Sequence, residues 1–61
     1  MTTSSLPALR AYTRGLELDE AGEPVDALPH YERAVQLDST FAMGWRKVAV
    51  ALVKVGVYAA P

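Results

Sequence analysis

The chain has 61 residues, no cysteine, a single histidine and a net charge of −1. That length allows one small domain, which buries only roughly 60% of the surface its unfolded chain exposes. The absence of cysteine and the lone histidine argue against disulfide staples and the usual zinc ligand sets, and a charge near zero argues against a nucleic-acid footprint.

The charges are nevertheless segregated. Residues 15–38 hold all seven acids and one base, Arg33, whereas residues 39–61 hold Arg46, Lys47 and Lys54 and no acid. Solvated helix faces explain such a pattern, and pairing of the two portions, within or between chains, is the sharper alternative. Residues 1–5 lack the basic start and apolar run of a secretory signal. The most apolar stretch, 48–53, falls far below the ~20 residues that span a bilayer. No membrane insertion is expected, and a soluble, cytoplasmic chain is.

Residues 1–5 read as a flexible lead-in ending on Ser5, which can cap a helix, with Pro7 near the first helical position. Leu9, Tyr12 and Leu16 then recur at helical spacing, and Ala21-Gly22 is expected to end this helix. Glu23-Pro24 opens a second helix, striped by Ala27, Tyr31 and Ala34 and widened by Leu28, Val35 and Leu37. Pro29 removes one backbone bond to the carbonyl of Val25 and is expected to bend it.

Asp38-Ser39-Thr40 is a short turn, with Thr40 as the expected cap of a third helix from Phe41 to about Val55, stopping at Gly56. The β-branched density of 48–57 also suits a strand. A repeat decides for helix: Leu9 returns as Met43, Gly15 as Ala49, Leu16 as Val50, Leu18 as Leu52 and Gly22 as Gly56, each 34 residues on. A period of that length marks a helix–turn–helix unit that buries its core by stacking on neighbours. The predicted class is therefore all-α, a three-helix antiparallel stack. One unit spans 6–38, and 40–61 forms the first helix of a second, incomplete unit.

The small and aromatic positions resemble the tetratricopeptide repeat family, whose unit is two antiparallel helices of 34 residues. Gly15, Gly22, Ala27, Tyr31 and Ala34 carry the resemblance in the first unit, and Trp45, Ala49, Leu52, Gly56 and Tyr58 in the second. Where helices cross closely, only Gly or Ala lets the backbones approach, and a bulky neighbour fills the space beside them. Gly15 and Ala49 are thus expected contact points, with Tyr31 and Trp45 as gap-fillers. Departures are Ala11 and Pro24 at aromatic positions and Ser39 in place of the turn proline. Another is that the chain stops at Pro61, where a partner for the third helix would begin. The stretches 2–6, 8–12 and 38–43 are similar to the start of repeat arrays that follow the kinase region of some bacterial serine/threonine kinases.

No catalytic or phosphate-binding constellation is present, so no enzyme activity and no cofactor are expected. His30 reads as a helix surface residue, with pH sensing as the alternative. The resemblance implies a protein-interaction module whose groove is lined by the first helix of each unit. In this chain the candidates are Leu9, Tyr12, Leu16, Met43, Arg46, Lys47, Val50 and Lys54, with Asp19 and Glu20 at the end of the first helix. That mixture favours an apolar or acidic-apolar peptide, while the lack of Asn departs from the family's carboxylate-gripping members. The third helix is apolar nearly all round, which makes a homo-oligomer through Phe41, Val48, Leu52, Val55 and Tyr58 the second expectation.

Overall fold

The computed structural model describes residues 5–59, and for 57–59 the backbone alone. Three helices follow one another: α1 (Leu6–Glu20), α2 (Pro24–Leu37) and α3 (Ala42–Ala59). No strand occurs among the described residues, so 48–57 is helical despite its alternation. The fold is all-α.

Local chemistry sets the first two helices. Ser5 Oγ accepts the Ala8 N–H at 3.3 Å, satisfying one orphan amide, and a proline lies in the first turn of each helix. At the end of α1 the Gly22 N–H donates to the Asp19 carbonyl at 3.0 Å and the Glu23 N–H to Leu18 at 2.9 Å. This paired C-terminal closure needs a left-handed residue between them, and Gly22 supplies it with φ +79°. Helix α2 continues through Pro29, which is exposed, so the lost bond falls on the solvent side.

Two expectations about α3 are corrected. Thr40 does not cap it: its hydroxyl donates back to Asp38 Oδ1 at 2.7 Å, and Phe41 supplies the first helical carbonyl, to the Trp45 N–H. Gly56 does not stop it, because α3 runs on to Ala59. A glycine weakens a helix by only about 1 kcal/mol and ends one when a positive φ is adopted; Gly56 keeps φ negative.

Short links of three and four residues turn the chain back twice, leaving successive helices antiparallel. Helix α2 packs against both α1 and α3. Its Ala27, Tyr31 and Ala34 are fully buried. Tyr31 fits because Gly15 has no side chain: a Cβ there would lie 2.5 Å from the ring's Cε1. Gly44 makes the same concession on α3, where a Cβ would come within 2.9 Å of Phe41 and Val35. One aromatic from each part of the chain meets at the centre, Tyr12 being 5.9 Å from Tyr31 and 5.0 Å, edge-on, from Phe41 (centroid distances).

Candidate functional site

Helices α1 and α3 both lie against α2 and run in the same direction. Phe41, just before α3, meets Tyr12 in the middle of α1, and Lys54 of α3 reaches Asp19 near the end of α1. The shallow trough between the two helices is where the groove candidates fall. Tyr12 is buried at its floor, Leu16 is half-buried, and Leu9, Met43 and Val50 are exposed along its rims. Lys47 and Lys54 are half-buried, and Glu20 and Arg46 are exposed. Tyr12 is thus floor packing, between Tyr31 and Phe41, and offers a ligand little surface.

The electrostatic centre of this trough is Asp19, expected to line the groove but with no partner assigned to it. Its Oδ1 accepts Lys54 Nζ at 2.8 Å and its Oδ2 accepts the Tyr31 hydroxyl at 3.3 Å, so one carboxylate joins all three helices. The Lys54 hydrogen bond is the main force holding the Asp19 carboxyl below its usual range. Burial opposes that shift, while the Lys54 charge, the Tyr31 hydroxyl and the Lys47 charge assist it. Tyr31 moves the other way: burial, then the Asp19 charge, pushes its phenol up to about 12. The signal in the sequence is the segregation of acids in 15–38 from bases in 39–61. Only the fold shows which acid meets which base.

The packing residues divide between the two repeats. Gly15, Ala27, Tyr31 and Ala34 are buried at the α1–α2 contact, and Gly22 forms the turn. In the second repeat Trp45, Ala49, Leu52 and Gly56, the expected repeat-packing positions, are all exposed. Trp45 is 51% exposed, and its indole N–H donates to the Ser39 carbonyl at 2.7 Å instead of filling a gap between helices.

The expected self-association face is corrected for the opposite reason at two of its positions. Phe41 and Val48 are buried in the core beside α2, and Val55 is half-buried. Leu52 is exposed, and the Tyr58 side chain lies outside the described residues. The apolar surface that remains open on α3 runs instead through Trp45, Ala49, Leu52 and Val53. One helix face is taken by α2, and the helical period puts the open stripe to one side of it.

A depression at the α1–α2 turn is lined only by consecutive residues 22–26, so it joins no separate elements. Among the described residues no group of three His, Cys, Asp or Glu side chains is placed to hold a metal ion, and no helix is long and apolar enough to cross a membrane. No family model matches the chain, and neither the curated proteins nor the solved structures contain a match to it.

Proposed function

We propose that this chain is a protein-interaction module of the tetratricopeptide type, without catalytic chemistry, that holds an acidic-apolar segment in the trough between α1 and α3. The observation that carries the reading is the trough's composition. Exposed Leu9, Met43 and Val50 stand beside Lys47 and Lys54, with Arg46 next to them on α3. Apolar rims give contact area, and with Lys54 held by Asp19, the remaining bases Lys47 and Arg46 favour a negatively charged partner. The 34-residue period and the small–aromatic pairing of Gly15 with Tyr31 support the family assignment.

The test is fluorescence anisotropy with a short labelled peptide of acidic and apolar residues, and a basic-apolar peptide of equal length as control. Saturable binding of the acidic peptide alone is expected, weakened by Val50→Asp and by Lys47→Glu and by rising salt. Equal binding of both peptides, or indifference to the two substitutions, refutes this reading.

A further inference from the structure

Two bases of α3, Lys47 and Lys54, lie on the side of the helix that holds Val50, about 10 Å apart along its axis. Both are half-buried, but their surroundings differ. Lys54 Nζ lies 2.8 Å from Asp19 Oδ1, and the other oxygen of that carboxylate accepts the Tyr31 hydroxyl at 3.3 Å. The Asp19 side chain is 15% exposed and that of Lys54 43%, so the acid is the fixed member and the base reaches down to it. With donors from two other helices the carboxyl is held below its usual range, chiefly by the Lys54 hydrogen bond, and is ionised at neutral pH. Lys47 acts on Asp19 through its charge, and among the described residues it joins no ion pair. Arg46, one position earlier, stands at nearly the same level of the helix.

Building on the trough as a groove for an acidic-apolar segment, we propose that it takes a segment with a single acid, received at Lys47, and that Asp19 sets this count by occupying Lys54. A carboxylate arriving at Lys47 meets a base with no ion-pair partner, beside apolar Val50 and Leu16. A second acid three residues along an extended peptide falls about 10 Å away. Toward the end of α3 it meets Lys54, already neutralised, with exposed Glu20 adding a further negative charge next to Asp19. To reach that base it must break a charge-assisted bond and leave the largely buried Asp19 carboxylate without its cation, so one ion pair is exchanged for another. Toward the start of α3 the same distance reaches the level of Thr40, where no base stands. Asp19 is thus a specificity-determining residue: it admits the apolar segment with one acid and gives no reward to an acidic run.

The probes are labelled apolar peptides with one Glu, and two further versions with a second Glu three residues before or after the first, which cover both chain directions. Anisotropy titrations at low salt compare the wild type, Asp19→Asn, and Asp19→Asn with Lys54→Met, each checked for unchanged far-UV circular dichroism. In the wild type the one-acid and two-acid peptides are expected to bind within about twofold of each other. Asp19→Asn keeps an acceptor for Tyr31 and Lys54 but leaves the Lys54 charge unmatched, so one of the two-acid peptides gains at least about threefold over the one-acid peptide. Adding Lys54→Met abolishes that gain. A wild type that itself rewards the second acid threefold or more overturns the proposal. So does an Asp19→Asn chain that binds all the acidic peptides tighter by one common factor, or a gain that survives Lys54→Met. Any of these, with the wild type still preferring acidic to basic peptide, removes the single-acid rule and leaves the trough reading standing. Equal binding of acidic and basic peptides removes both.

Discussion

Substituting alanine for glycine at one position on α1 and one on α3 is expected to change stability in opposite directions. Both Gly15 and Gly56 lie inside helices with negative φ, so alanine relieves the same intrinsic penalty at each, about 1 kcal/mol. At Gly56 nothing lies within 4 Å of the new Cβ, and the gain is kept. At Gly15 the new Cβ would sit 2.5, 2.7 and 3.1 Å from three ring atoms of Tyr31. That ring cannot swing aside. It is fully buried, tilted against Tyr12, and tied by its hydroxyl to Asp19. Overpacking of this kind costs about 1–3 kcal/mol, and the broken Tyr31–Asp19 bond adds about 1. The net expectation is a loss of about 1–3 kcal/mol for Gly15→Ala. In a domain of this size each kcal/mol moves the melting midpoint by roughly 4–8 °C. Thermal melts followed at 222 nm should therefore show Gly15→Ala melting lower than wild type, and Gly56→Ala melting higher by up to ~8 °C. If Gly15→Ala melts as high as Gly56→Ala, Tyr31 does not pack on Gly15 and the account of the α1–α2 contact is wrong.

Other consequences of the structure can be checked with the same melts. Gly22→Ala forces a side chain into φ +79° and is expected to cost about 1 kcal/mol although the space around it is open. Trp45→Phe removes an exposed ring and one bond to Ser39, so urea titration should register a loss of about 1 kcal/mol or less, not the 3–5 of a buried aromatic. Asp19, whose folded pKa is lowered, contributes stability above its unfolded pKa of about 3.9, and this is lost as pH falls through the folded value. Asp19→Asn should flatten that acid limb in a series of melts between neutrality and pH 2. Tyr31 has the opposite sign: with its pKa raised to about 12, its contribution is complete below the unfolded value of about 10 and disappears as pH rises toward 12. Tyr31→Phe should remove that alkaline loss, and an unchanged alkaline profile would refute the burial of the phenol.

Much of this fold is legible in the order of its residues. Ser5, Pro7, Gly22 and Pro24 punctuate the chain by local chemistry, because caps and turns depend on a few adjacent residues and their own backbone angles. The 34-residue recurrence favours helix over strand for 48–57, where alternation alone points the other way, and the segment is helical. Local rules are weaker at the two ends of α3. Gly56 permits a stop but does not impose one, and Thr40 has a closer partner in Asp38 than the helix it was expected to cap.

The faces are a different matter. A repeat says that Trp45 and Ala49 stand where Ala11 and Gly15 stand, but not whether a neighbour is present to cover them. In the first unit α2 supplies that neighbour; in the second, among the described residues, nothing does, and a packing residue becomes an exposed one. The same holds for the charges. Segregated acids and bases are visible in the sequence, yet the choice of Asp19 for Lys54 and Tyr31 follows from two helices lying side by side across a third. Helix, turn and repeat are properties of neighbouring residues, and they can be read along the chain. Burial and pairing depend on which surfaces meet across 12 to 35 residues of chain, and they arise only when the three helices pack.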